Sequence, residues 1–276
     1  MSAGGDLAAQ LEFCHQLALE AGEVVMGYFD AAYEVADKRG QPVTDADRAA
    51  NALIVKALAS RFPGDAIVAE ETPVRSDAWR TAPRCWVVDP LDGTSDFVKG
   101  RVGFAVMIGL LVDGRPTLGA VHVPKAGRTF LGLVGDGAEE IREGVRRPLK
   151  VSSRARSHEL RVIASIAHRD ERLEAAIAAL APAETLSVGS VGYKVGKIVA
   201  DEADLYLATT SRISLWDTCG PEAILVAAGG AMVDLDGAPL DYRGPALNHP
   251  RGLLATNGAS RADVVAKLEG RFPELD

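Results

Sequence analysis

The sequence predicts a mixed α and β protein in which helices lie against a largely antiparallel sheet and a smaller α/β lobe follows. Three observations carry this. A helix-spaced apolar pattern fills the N-terminus, where Leu7, Leu11, Cys14, Leu17, Ala21 and Val24 or Val25 recur every three or four residues. The middle of the chain alternates apolar runs with turn residues, as in 105–112, Asp113-Gly114 and 117–123. Beyond residue 150, strand-like and helix-like segments take turns.

In chain order, the first amphipathic helix fills roughly 6–29, and a loop runs through Lys38, Arg39, Gly40, Gln41 and Pro42. Thr44, with Asp47 three residues on, marks the start of a helix through Leu53, Ile54 and Leu58. Short buried strands follow at 66–69, ending at Glu70, and at 85–88, ending at Asp89. The hairpin of 105–112 and 117–123 continues into a third strand at 129–134. The end of the Gly-rich, charged stretch 135–147 reads as a lobe boundary, giving lobes of 1–150 and 151–276. The second lobe alternates strands at 161–164, 185–188, 205–208 and 253–256 with helices at 170–180, 193–200, 217–228 and 261–268.

Composition narrows the function classes. At 276 residues, 47% hydrophobic and 25% charged, the chain suits one large globular domain or two close lobes. A net charge of −8 and no Lys/Arg run disfavour nucleic acid polymers and anionic membranes as partners. Small anions stay open, because a bound divalent metal inverts the local charge. No apolar run nears the ~18 residues of a membrane span, and the N-terminus lacks a secretory pattern. Cys14, Cys85 and Cys219 are odd in number and scattered, so reduced thiols in a cytoplasmic protein are expected.

The densest chemistry lies at Asp89-Pro90-Leu91-Asp92-Gly93-Thr94. An apolar strand delivers Asp89, and Pro90 with Gly93 enforces a turn that brings Asp92 close and can aim the Leu91 carbonyl inward. Two carboxylates and a carbonyl are hard oxygen ligands of the kind Mg²⁺ prefers. Gly93 and Thr94 offer backbone N–H groups to a phosphate if a helical turn begins there. Ordinary turn chemistry would explain the segment equally well on its own. Glu70-Glu71 at another strand end and Asp217 at a helix start shift the balance, since unpaired carboxylates seldom gather without a cation. Asp217 would also serve as a helix N-cap, and Asp47 as a first-turn acid; neither role excludes metal.

These segments together resemble the inositol monophosphatase superfamily of Mg²⁺- and Li⁺-sensitive phosphatases. The matching pieces are residues 42–47, Ala69-Glu70-Glu71, residues 89–94 with Phe97, and Trp216-Asp217 running to Gly229-Gly230. The resemblance implies a layered α/β/α/β/α sandwich and a phosphomonoesterase using two or three Mg²⁺ ions. It implies that Glu70, Asp89 and the Leu91 carbonyl hold one metal and that Asp89, Asp92 and Asp217 hold a second. Gly93 and Thr94 would cradle the phosphate, while Asp47, Glu70 and Thr94 would position or deprotonate the attacking water. Glu70, Leu91, Asp92 and Asp217 would thus also border the substrate, a small phosphorylated metabolite.

The second half is most similar to the 3′(2′),5′-bisphosphate nucleotidase branch, through Ser187-Val188-Gly189-Ser190, Lys194, residues 215–218, and residues 239–242 with Asn248 and Pro250. Lys194 would contact a second phosphate, or else stand on a helix surface. At 165–168, where many relatives of that branch carry Arg-Ser-His, only His168 remains as a substrate contact. Inositol monophosphate, histidinol phosphate or a sugar bisphosphate therefore stays open as substrate, and so does an inactive metal-binding regulatory homologue. A homodimer is compatible with the sequence. No zinc spacing, P-loop or G-x-S-x-G elbow is present.

Overall fold

The computed structural model describes residues 7–29, 31, 34–38, 41–165 and 170–272. Two sheets organise it. Helices α1 (Leu7–Phe29) and α2 (Asp45–Arg61) flank a hairpin of β1 (Val35–Lys38) and β2 (Gln41–Thr44). The segment expected as a loop is therefore mostly paired backbone, with Lys38 opposite Gln41. Four-residue strands, Val-Ala-Asp-Lys and Gln-Pro-Val-Thr, are too short to show an apolar alternation.

The first sheet has seven strands in chain order: β3 (Ala66–Ala69), β4 (Arg84–Asp92), β5 (Ala105–Val112), β6 (Arg115–Val123), β7 (Arg128–Leu133), β8 (Gly137–Arg142) and β9 (Val145–Leu149). Only β3 and β4 are parallel; the rest is a meander. The stretch 135–147, for which no strand was expected, holds β8 and part of β9; the outer strand β9 is too exposed and charged to show a buried period.

A single-turn helix α3 (Thr94–Val98) follows β4. Beyond the first sheet come β10 (Arg161–Ser165), α4 (Glu171–Leu180), β11 (Glu184–Val188), α5 (Val191–Val199), β12 (Leu205–Ala208), α6 (Leu215–Ala227), β13 (Ala231–Val233), β14 (Leu253–Thr256) and α7 (Arg261–Leu268). The strands order as β11-β10-β12-β14-β13, with β10 parallel to both neighbours. The short β13 escaped the sequence pattern.

Alternation along the strands makes the layers. On β4, Trp86 and Val88 join the core under α1 and α2, while Cys85 and Val87 join the core shared with α5 and α6. On β12, Tyr206 and Ala208 face that same inner core, and Leu205 and Leu207 pack with Leu173, Ala176, Val264 and Leu268 of α4 and α7. The result is the α/β/α/β/α sandwich, with one apolar core bridging the two sheets.

Helix α6 lies unusually close to the first sheet for a specific reason. Gly109, Gly119 and Gly132 stand side by side on β5, β6 and β7. A Cβ on Gly109 would come 2.5 Å from Gly220 N, one on Gly132 2.5 Å from Ile224 Cα, and one on Gly119 would run into the Gly220 carbonyl. The glycine row is the seat on which the helix bearing Asp217 rests.

Candidate active site

Strand β4 does not stop at Asp89 but continues to Asp92 through an irregularity: Asp89 pairs with Met107 and Asp92 with Ala105. Two residues, Pro90 and Leu91, thus stand against the single Val106, which is a bulge. Pro90, which has no N–H to give, suits a position outside the regular ladder. The Leu91 side chain is buried, its N–H donates to Asp89 Oδ1 at 3.0 Å, and its carbonyl lies 3.0 Å from Thr94 Oγ1. Gly93 has φ 87°, and a Cβ there would meet the Gly103 carbonyl at 2.5 Å. Only glycine can turn the strand into α3 at this point.

Thr44 and Asp47 close the start of α2 as expected. The Thr44 N–H and Oγ1 both donate to Asp47 Oδ2, at 2.7 and 2.6 Å, and the Thr94 hydroxyl lies 3.1 Å from Asp47 Oδ1. Asp47 therefore joins α2 to the turn of β4. Burial raises its carboxyl pKa, the hydrogen bonds from Thr44 and Thr94 oppose this, and the charge of Glu71 adds to the rise.

Asp217 sits deeper in its helix than the sequence suggested, a full three positions past the cap. Ser214 is the N-cap of α6, and Asp217, at the third helical position, accepts the Ser214 N–H on Oδ2 at 2.5 Å. The pair Leu215-Trp216 already belongs to the helix, its apolar character having passed for the end of the preceding loop. Pro221 in the next turn has no N–H, so the Asp217 carbonyl loses its usual helical donor.

Asp89, Asp92 and Asp217 converge: each offers a carboxylate oxygen, and these lie within 4.8 Å of one another. Asp89 is 1% exposed. Burial raises its pKa well above the usual range, and the charges of Glu70, Asp92 and Asp217 raise it further. Asp217 rises by burial and by the charges of Asp92 and Glu70. Glu70, whose N–H donates to Val88 O at 3.1 Å, extends β3 alongside β4 and adds a fourth charge beside the group. A hard, all-oxygen donor set that repels itself in a buried place fits a divalent cation such as Mg²⁺.

The loop from β11 into α5 closes the other side. Ser190 Oγ donates to Asp92 Oδ2 at 2.6 Å, and the Gly192 N–H reaches the same oxygen at 3.2 Å. Lys194 is no helix-surface lysine. It is 2% exposed, its Nζ donates to Gly189 O at 2.5 Å and lies 4.4 Å from the centroid of the Tyr206 ring. Burial pulls its pKa down to about 8 although Asp92, Asp217 and Asp96 favour the charged form. His168 lies outside the described residues.

Sequence reasoning gave no role to Ser190 or Thr44 at the site, nor to the buried set behind Asp217. There, the Thr218 hydroxyl meets His249 Nε2 at 2.8 Å and lies 3.0 Å from the Tyr242 hydroxyl oxygen, and Tyr242 OH donates to Glu222 at 2.7 Å. Ser190 caps α5 in the structure, but its bond to Asp92 spans 98 residues and leaves no local signal in the sequence.

The sequence profile of the inositol monophosphatase family matches residues 6–270. The chain is 34% identical over 235 residues to the 3′(2′),5′-bisphosphate nucleotidase CysQ of Salmonella typhimurium, covering 84% of this chain and 93% of that one. It is 31% identical over 229 residues to the histidinol-phosphatase of Mycobacterium tuberculosis, covering 82% and 84%. Its fold is similar to the Thermotoga maritima IMPase, with TM-score 0.81, 25% identity and coverage of 95% and 98%. With the layered sandwich in place and the acidic segments gathered at one point, the chain belongs to the inositol monophosphatase family.

Proposed function

We propose that the chain is a Mg²⁺-dependent phosphomonoesterase of a small soluble phosphate ester, with 3′-phosphoadenosine 5′-phosphate as its substrate. The observation that carries the reading is the convergence of Asp89, Asp92 and Asp217, each with an oxygen within 4.8 Å of the others, at the end of an apolar strand. Family membership supports phosphate-ester hydrolysis, and the similarity to CysQ over most of both chains supports the bisphosphorylated substrate.

In this reading Glu70, Asp89 and the Leu91 carbonyl would hold one cation, and Asp89, Asp92 and Asp217 would hold another. The bound metal supplies neutralisation of the phosphate oxygens and a water of lowered pKa. The rest is the work of the chain. Asp47 and Thr94 take up the proton of the attacking water through the Thr94 hydroxyl, which already lies 3.1 Å from Asp47. The Gly93 and Thr94 N–H groups receive the phosphate. Lys194 supplies positive charge for the second phosphate, and His168 borders the substrate.

A comparison of phosphate release from 3′-phosphoadenosine 5′-phosphate, inositol 1-phosphate, histidinol phosphate and fructose 1,6-bisphosphate, with Mg²⁺ and with EDTA, tests the proposal. The first should be preferred, activity should vanish in EDTA and return with Mg²⁺, and Li⁺ should inhibit. Full activity in EDTA removes the metal reading. Preference for histidinol phosphate, favoured by the second relative, removes the substrate reading alone.

A further inference from the structure

We infer that Ser190 is a positioning residue that aims Asp92 at the cation, so that a turn of the second sheet sets the metal affinity of a ligand carried by the first. The inference rests on the metal reading above.

Ser190 is fully buried. Its hydroxyl accepts the Tyr193 N–H at 3.1 Å and donates to Asp92 Oδ2 at 2.6 Å. A serine hydroxyl has one proton, and here both its direction and its acceptor side are committed. The Gly192 N–H, 3.2 Å away, is a second donor to the same carboxylate oxygen. Two donors on Oδ2 fix the plane of the carboxylate, and with it the direction of Oδ1. Outer partners of this kind commonly tune a metal site nearly as strongly as the ligands themselves.

The turn is also fitted to the first sheet independently of that bond. The Ser190 N–H donates to the Gly103 carbonyl at 2.9 Å. A Cβ on Gly93 would lie 3.4 Å from Ser190 N, and a Cβ on either Gly103 or Gly189 would strike the Asp96 carboxylate. Three glycines thus let the β4 turn and the β11–α5 turn touch. Capping α5 needs only an acceptor, which Asp or Asn supplies as well as Ser. A donor aimed at Asp92 is needed only if the orientation of Asp92 matters.

The test is Mg²⁺ binding by calorimetry on the full chain, with melting temperature measured with and without metal. Wild type, Ser190→Ala, Asp92→Asn and the double variant form a cycle. Ser190→Ala should weaken Mg²⁺ binding about tenfold to a hundredfold. In the Asp92→Asn background the same change should add little to the loss, whereas its capping effect on metal-free melting should persist in both backgrounds. Ser190→Thr, which keeps the hydroxyl, should restore binding. If Ser190→Ala does not fold, Ser190→Cys, of similar size but with only a weak S–H donor, reads the same affinity. Mg²⁺ affinity within about twofold of wild type in the folded variant, with only metal-free melting lowered, makes Ser190 a cap and overturns the inference. A wild type that binds no Mg²⁺ overturns the metal reading first, and this one with it.

Discussion

Two turns meet at the site, residues 89–94 of the first sheet and residues 189–194 of the second, and they are held in different ways. Within the first, the Leu91 N–H reaches Asp89 and the Thr94 hydroxyl reaches Leu91 O, so much of its shape is internal. The second has internal bonds as well, from the Tyr193 N–H to Ser190 Oγ and from Lys194 Nζ to Gly189 O, but Ser190 also leans on Asp92 and Gly103 of the first sheet. A self-contained turn announces itself in a short stretch of sequence. A turn that also leans on a partner 98 residues away does not.

The two turns should differ most sharply under charge removal. Asp92→Asn keeps the size and turn propensity of Asp but removes charge that balances a divalent ion. A loss of at least ~10²-fold in kcat is expected, on the scale of removing a preorganised electrostatic group. Metal-free protein should melt at or above wild type, because one of several mutually repelling carboxylates is gone. If the metal-free variant melts well below wild type, Asp92 is a structural residue of the turn and the contrast drawn above loses its basis.

Lys194 probes the second turn. Its ammonium is buried, so Lys194→Ala removes packing along with charge, and melting must be measured beside kinetics. KM for 3′-phosphoadenosine 5′-phosphate should rise more than KM for inositol 1-phosphate, by about tenfold to a hundredfold, the worth of a charge-assisted contact. Equal losses on both substrates would assign the lysine to balancing Asp92 and Asp217, with no preference for a second phosphate.

These contrasts explain what could be read in advance. The long α1, the apolar β3 and the 105–123 hairpin carry strong local periods, and the structure has them where the sequence placed them. Asp113 and Gly114 have φ of 49° and 78°, as a tight hairpin turn demands. The acidic segments were legible because Pro, Gly and Asp cluster at strand ends. The hairpin of β1 and β2 was not legible, nor were β8, β9 and β13, since they are short, polar or exposed and gain their order from neighbours. The glycine row under α6 was invisible too, because register across three strands brings Gly109, Gly119 and Gly132 together.

That row is the next place to press. Gly119→Ala adds one methyl group against the Gly220 backbone, where neither side is flexible. Overpacking of this kind costs about 1–3 kcal/mol, and here it should also lift Asp217 from its partners. Chemical denaturation should show the stability loss, and Mg²⁺ affinity should fall with it. A stability loss with unchanged Mg²⁺ affinity would separate the seat of α6 from the geometry of the ligands.

The smallest effect concerns the buried set behind Asp217. Glu222 accepts Tyr242 OH at 2.7 Å and Arg115 Nη2 at 3.1 Å, yet burial still raises its carboxyl from 4.5 to about 7. A pKa raised on folding means that protons bind the folded state more tightly. The contribution is fully present below pH 4.5 and is lost as pH climbs through about 7. His249 and His122 act in the opposite sense. Burial lowers each to about 4, so the folded protein gains stability as pH rises toward 6.5. The two trends overlap in wild type, and comparison with Glu222→Gln isolates one of them. Gln keeps an acceptor for Tyr242 and cannot ionise. With Mg²⁺ saturating, so that the site carboxylates stay paired, wild type should lose a few degrees of Tm relative to Glu222→Gln between pH 5 and pH 8. A difference that stays constant over that range would mean that Glu222 does not titrate there, and that Arg115 on β6 holds it ionised throughout.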